Sequence, residues 1–428
     1  MLWQPSLPKA YRTMPTGDLA RRISERRRTL GDRLVILGHH YQADEVVRHA
    51  DLRGDSLKLS QLAARVAEEK PVEFIIFCGV HFMAETADML SPDSVQVILP
   101  DMSAGCSMAD MASYDDTYDA WEDIHAELNQ QGWNGRIVPI TYVNSTAAIK
   151  AFVGQHGGAC CTSSNADRVF EWAMAGGDHE HFGGPPAEGE DVKILFLPDQ
   201  HLGRNTAAKF GINVEHHTAL YDPKKANRGE ALGGMTPEQL ADAEVVLWAG
   251  HCSVHKLFRP EHVEQIRAEE ADLPEHERTK VLVHPECTKE VVDLADLAGS
   301  TEFIINTIEA AEPGSKWAIG TEVHLVNRLA AEAKARGVHA RILSDCQCLC
   351  TTMYRIDEPH LLWTLDGLLG IMTRAKDDDA YDDSPDSSLK GDPIVRNVVG
   401  VHPEAQQLAV LALNRMLDLV SPAAATTD

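Results

Sequence analysis

Along the chain, short apolar runs rich in Val and Ile alternate with polar turns, and each turn opens into a stretch whose apolar positions recur at helical spacing. The runs lie at 34–37, 74–77, 137–140, 194–197, 245–248 and 281–283. Strands this short, alternating with amphipathic helices, predict a mostly parallel sheet covered on its faces by helices, because a parallel crossover needs a helix to return the chain. A closing helix is predicted over 403–419 from the same spacing.

The pattern repeats three times. The first copy runs strand, then Gly38, His39, His40 and Tyr41, then a helix, then Asp51 to Ser56 opening another helix. The third runs strand, then His284, Pro285, Glu286 and Cys287, a helix, and Asp296 to Thr301 before the next. The middle copy offers Thr141, Tyr142, Val143 and Asn144, and then Cys161 to Asn165. Each copy ends on a cysteine just past a strand: Cys106 after 95–99, Cys252 after 245–248 and Cys350 after 340–343. His39 to Cys106 spans 67 residues and His284 to Cys350 spans 66, whereas Tyr142 to Cys252 spans 110. The irregular segments 176–190 and 222–243 account for the excess as surface loops. The chain is therefore read as α/β, with three pseudo-symmetric three-layer α/β/α domains whose small parallel sheets surround a central active site. Their bounds are 1–110, 111–256 with loop insertions, and 257–428 with an acidic excursion and the closing helix.

Length agrees with that division, since 428 residues exceed one compact core. The net charge of −26, with no basic stripe interleaved with aromatics, excludes nucleic acid and an acidic membrane surface as partners. Part of the excess acid sits in 376–393, read as a solvated excursion, and 421–428 reads as a frayed tail. No signal-peptide stretch opens the chain and no apolar run reaches about 18 residues, so a soluble, cytoplasmic protein is expected. Nine cysteines are too few for a disulfide scaffold, and their odd number argues against complete pairing.

Three thiolates at equivalent strand ends, brought together by pseudo-symmetry, favour soft metal chemistry. Structural zinc prefers four ligands in closely spaced pairs. Three widely separated cysteines better suit a [4Fe–4S] cluster with one iron left open to substrate. Within Cys346, Cys348 and Cys350, spacing alone leaves the ligand open. Cys78 reads as core, while Cys160, Cys161 and Cys287 border site turns without holding the repeated position. Ser56, Ser163, Ser300 and Thr301 precede helices, where free N–H groups and hydroxyls suit phosphate or carboxylate as well as capping. His39 and His284 follow strands, and either is expected to titrate near neutral pH and to donate to a substrate carboxylate. Tyr41 and Tyr142 are candidate acid/base or orienting groups, and Glu286 is the candidate base. His179, His181, His216 and His217 read as surface residues. Met83 reads as an apolar wall and Glu85 as paired within its own helix.

The strings GHHYQADE (38–45), GDSLKLS (54–60), CGVHFMAET (78–86), PDMSAGCSMA (100–109), TYVNST (141–146), CTSSNA (161–166), GHCSVH (250–255), HPEC (284–287), AGST (298–301) and GTEVHLVNRL (320–329) together resemble the quinolinate synthase family. That resemblance covers about 30–370 in order. It implies an enzyme of NAD biosynthesis that condenses iminoaspartate with dihydroxyacetone phosphate, and three related α/β/α domains around one [4Fe–4S] cluster. It implies Cys106, Cys252 and Cys350 as cluster ligands, the last because it stands three residues before Met353. It implies substrate contacts at His39, Ser56, Tyr142, Val143, Asn144, Ser163, His284, Pro285, Glu286, Ser300 and Thr301, and proton transfers at Tyr41 and Glu286. The partners implied are these small molecules, with functional coupling to an aspartate-oxidising enzyme, in a monomer or homodimer. Two features depart from relatives: His40 stands where many have Asn, and Cys-x-Cys-x-Cys replaces a wider cysteine spacing. Strain opposes a disulfide switch at Cys346 or Cys348. Another [4Fe–4S] hydro-lyase, or a non-catalytic iron–sulfur sensor, are the competing classes.

Overall fold

A computed structural model describes residues 4–345, 348–371 and 391–420. Cys346, most of the excursion at 376–393 and the tail at 421–428 lie outside the described residues. The strands are β1 (Leu34–His39), β2 (Leu52–Gly54), β3 (Phe74–Cys78), β4 (Gln96–Ile98), β5 (Gly135–Tyr142), β6 (Ala159–Cys161), β7 (Asp191–Leu197), β8 (Thr218–Tyr221), β9 (Val245–Trp248), β10 (Lys280–Val283), β11 (Leu297–Ala298), β12 (Lys316–Gly320), β13 (His339–Ile342) and β14 (Val398–Val399). They form three small sheets, ordered β14-β4-β3-β1-β2, β6-β5-β7-β9-β8 and β11-β10-β12-β13. Every pairing is parallel except β14 with β4. The fold is therefore α/β, built on three parallel-dominated sheets.

Ladder register makes the threefold relation quantitative. His39 pairs with Gly54 and Tyr142 with Cys161, while Val283 pairs with Ala298, one step before His284 and Gly299. On the other side Gly38 pairs with Cys78, Thr141 with Leu197 and Val283 with Gly320. Both sides agree, so His39, Tyr142 and His284 are equivalent positions. Side chains two residues further on, Tyr41, Asn144 and Glu286, are equivalent as well.

The chain divides into two compact units. One comprises Met1–Cys106 with Leu349–Val401 and contains the first sheet. Its N-terminal segment is fastened by a buried network: Arg26 Nε donates to Asp366 Oδ1 at 2.7 Å, and the Tyr11 hydroxyl donates to Asp366 Oδ2 at 3.0 Å. The other comprises Ser107–Cys348 with His402–Asp428 and contains the second and third sheets.

Two local features differ from the sequence reading. The extended middle copy is more than loops, because β8 adds a parallel edge strand beside β9, with Tyr221 stacked on Trp248 at 5.3 Å. Four residues with only Ala219 and Tyr221 buried are too short an alternation to read as a strand. The segment 222–243 then holds two short helices, Pro223–Ala226 and Pro237–Asp242, each capped by the preceding Asp222 or Thr236. The predicted closing helix is Pro403–Val420, and it packs on the helix Ala147–Gln155 and on β6 of the middle sheet. Among the described residues no helix is long and apolar enough to cross a membrane.

Candidate active site

In the second unit, the turns after β5, β7, β9 and β10 bring four sequence segments together. Glu286 is 2% exposed and His255 1% exposed, and Glu286 Oε2 lies 2.5 Å from His255 Nδ1. The His255 and His284 rings stack with centroids 4.4 Å apart. His255 Nε2 is 3.1 Å from the Thr321 hydroxyl, and Tyr142 hydrogen-bonds the Glu286 carboxylate. Behind them, buried Asp199 caps the helix Gln200–Lys209, its Oδ1 accepting from the N–H groups of His201 and Leu202 at 2.7 and 2.9 Å. Asn205, on the same helix, donates from Nδ2 to the carbonyls of Pro285 and Cys287 at 2.9 Å each, clamping the turn that carries His284 and Glu286. Gly250 allows the loop to Cys252 to pass close to Pro198, since a Cβ there would run into the Pro198 carbonyl.

Electrostatics separates the two buried carboxyls. Burial, followed by the Glu286 charge, pushes Asp199 well above the usual carboxylate range. Burial also opposes ionisation of Glu286, but its imidazole neighbours and hydrogen bonds outweigh that cost and hold it below the usual range. The two buried carboxyls are thus pushed in opposite directions, Asp199 towards the donor's role and Glu286 towards the acceptor's. His284 is pulled down to about 3, first by burial and then by His255, so its ring is neutral at pH 7. Its Nδ1 accepts the Glu286 N–H at 3.3 Å, which assigns the ring proton to Nε2. His39, the equivalent residue of the first unit, repeats this device: its Nδ1 accepts the Tyr41 N–H at 3.1 Å. Each imidazole is thereby fixed by its own turn as an Nε2–H donor.

The remaining sequence-chosen groups fall into a consistent register. Ser56, Ser163 and Thr301 each stand two residues past the ladder partner of the equivalent strand end. Ser300 is different, because its hydroxyl accepts from Phe303 N–H at 3.3 Å as the cap of the helix Thr301–Glu309. Asp55 does the same for the helix Ser56–Glu69 at 2.9 Å. Capping is thus done by the residue before, and Ser56 and Thr301 occupy the first helical position. Asn144 Oδ1 and Glu286 Oε1 are buried without a hydrogen-bond partner, a costly state that a bound polar ligand relieves. Val143 and Pro285 are buried in the backbone turns themselves.

Exposure sorts the cysteines. Cys106, Cys252 and Cys350 are half-buried, whereas Cys78, Cys160, Cys161, Cys287 and Cys348 are fully enclosed. Burial pushes Cys78 and Cys160 up to about 12 and Cys161 and Cys287 well above their ordinary value, so these four are neutral core thiols. Cys348 Sγ lies 3.2 Å from the Ser344 hydroxyl. Cys252, His255 and Glu286 form a group able to hold a metal ion, their donor atoms lying within 4.8 Å of one another. His179, His181, His216 and His217 are exposed, Met83 is buried and Glu85 lies 3.7 Å from His81 on its own helix. Sequence reasoning gave no role to His255, Thr321, Asp199 or Asn205. The signal for Asp199 was its register, since it and Glu322 both cap the helix after the third strand of their copy.

The chain is similar to known proteins over most of its length. A family profile described as Quinolinate synthetase A protein matches residues 21–378. The quinolinate synthase of Rhodopirellula baltica is 48% identical over 370 residues, 84% of this chain and 86% of its own. That of Bacillus velezensis is 46% identical over 411 residues, 96% of each chain. That of a Nocardioides species is 48% identical over 409 residues, 95% of this chain and 91% of its own.

Proposed function

The chain belongs to the quinolinate synthetase A family, enzymes of NAD biosynthesis, and from that premise we propose that it condenses iminoaspartate with dihydroxyacetone phosphate. Quinolinate, phosphate and two waters leave. The observation that carries the reading is the dense polar site above: one buried acid pushed up and one held below the usual range, a neutral imidazole with its proton on Nε2, and buried oxygens without a hydrogen-bond partner.

The cofactor in this reading is one [4Fe–4S] cluster held by Cys106, Cys252 and Cys350, one thiolate from each repeat of 1–110, 111–256 and 257–428. The donor set fits, because these three are the half-buried thiols among the described cysteines and each stands in irregular backbone past a strand. When bound, the cluster supplies a Lewis-acidic iron with an open position.

The chain's own residues do the rest. Nε2–H of His284 and of His39 donates to substrate carboxylate or phosphate oxygens, and Ser56, Ser163 and Thr301 add hydroxyl donors at helix starts. Asn144 Oδ1 and Glu286 Oε1 accept from substrate N–H or O–H groups. Glu286 takes up a proton on Oε1, the oxygen His255 leaves free. Its short contact with His255 Nδ1 weakens it as a base, so the transfer proceeds from carbon already acidified by an adjacent imine or carbonyl. Tyr142, hydrogen-bonded to Glu286, orients that carboxylate, and Tyr41 is the corresponding group on the first unit's turn.

The test is an anaerobic assay of the iron- and sulfide-loaded enzyme with both substrates, scored for quinolinate. Iron and sulfide should each approach about four per chain. A chain that takes up no iron and sulfide on anaerobic loading, or a loaded enzyme that makes no quinolinate, overturns the proposal.

A further inference from the structure

We propose that, in the chain without its cluster, Cys252, His255 and Glu286 form a mononuclear site for a borderline divalent cation such as zinc or cobalt. The inference rests on the proposed function only in treating Cys252 as a cluster ligand.

The donors converge within 4.8 Å, with Nδ1 of His255 and Oε2 of Glu286 at 2.5 Å. A tetrahedral ion with bonds of about 2.0–2.3 Å needs its donor atoms roughly 3.3–3.8 Å apart. The short contact must open and the long one close by about 1 Å, which rotation of the Cys252 and Glu286 side chains supplies. Thiolate, imidazole and carboxylate make the three-ligand set that leaves a fourth position open, and sulfur and nitrogen donors disfavour magnesium or calcium. Two negative donors neutralise a dication, which reduces the cost of burying it.

The second shell is already in place. A metal-bound imidazole normally engages its other nitrogen, and Nε2 of His255 meets the Thr321 hydroxyl at 3.1 Å, leaving Nδ1 for the ion. The Glu286 carboxylate is held by Tyr142 and keeps Oε1 without a partner. Cys252, half-buried where His255 and Glu286 are enclosed, is the entry side. Occupation would withhold Cys252 from cluster assembly, so the site is a point of competition between zinc and iron–sulfur loading.

Full-length protein stripped of iron and sulfide is titrated anaerobically with Co2+. Expected is one equivalent bound, with a near-ultraviolet thiolate charge-transfer band and tetrahedral visible bands. Cys252→Ser should abolish the charge-transfer band. His255→Ala and Glu286→Gln should weaken binding by more than about 100-fold, and Thr321→Val by about 10–100-fold. Cys106→Ser and Cys350→Ser should leave it unchanged. Far-UV circular dichroism confirms that each variant is folded, and Thr321→Val, which removes one hydroxyl, keeps the test alive if His255→Ala unfolds. A charge-transfer band that survives in folded His255→Ala and Glu286→Gln, or that requires Cys106 and Cys350, overturns the inference. The quinolinate assay is read separately, so its failure strikes the proposed function and leaves the cobalt result standing.

Discussion

Asn205 gives the sharpest check on how the site is held. It is 4% exposed, and its Nδ2 bridges the carbonyls of Pro285 and Cys287 at 2.9 Å each. Asn205→Ala removes both donors and leaves two carbonyls in a buried turn. Each unsatisfied group costs about 1–3 kcal/mol, and water entering the space left by the amide recovers part of that, so a net loss of about 2–4 kcal/mol is expected. The catalytic consequence is larger than the stability change implies, because the same turn carries His284 and Glu286. Displacing such groups by about 1 Å costs roughly 10²-fold in rate. Urea unfolding gives the first quantity and steady-state kcat of the loaded enzyme the second, with iron content measured to separate cluster loss from turn displacement. A loss below about 0.5 kcal/mol with unchanged kcat would refute the clamp, since it would mean that the two carbonyls find equivalent partners without it.

Other consequences follow from the same geometry. Arg26→Met should destabilise the first unit by about 3–5 kcal/mol by leaving Asp366 buried without its cation, and adding Asp366→Leu should recover much of it; equal stability of the single and double variants would contradict this. His284 stays neutral down to about 3 while the unfolded chain protonates near 6.5, so the unfolded state binds more protons between those values. Its stabilising contribution is therefore full above about pH 6.5 and is lost as pH falls towards 3. His284→Gln should flatten the fall of the urea midpoint between about pH 6.5 and 4.5, and an unchanged slope would remove His284 as its source. Glu286→Gln should retain iron and sulfide yet lose turnover, and full activity would exclude Glu286 from proton transfer. Cys348→Ala should keep the brown chromophore that Cys106→Ala, Cys252→Ala and Cys350→Ala lose; the opposite pattern would move the third ligand.

Much of the fold was legible because its signals are local. Runs such as 34–37 and 281–283 became β1 and β10, and the polar turns behind them share their hydrogen bonds in the first and third copies, down to the Nδ1 bonds of His39 and His284. The spacing of Ser56, Ser163 and Thr301 was legible for the same reason, since ladder register converts equal spacing into equivalent position. Less legible were β8 and β14, whose four and two residues carry too little alternation to register. The capping role of Ser300 was a local matter that composition could not separate from ligand binding, because one hydroxyl serves both purposes.

By itself, the sequence determined the class of the fold, its triplication and the chemical identity of the groups at strand ends, because a hydrophobic period and a turn are properties of consecutive residues. Only the tertiary structure decided what those groups are. His255 reaches Glu286 across 31 positions of chain, Asn205 reaches the turn after β10 across 80, and burial and the Glu286 charge raise Asp199 well above the usual carboxylate range. Burial and proximity set protonation and hydrogen-bond role, and both arise from packing between distant segments that no local pattern encodes.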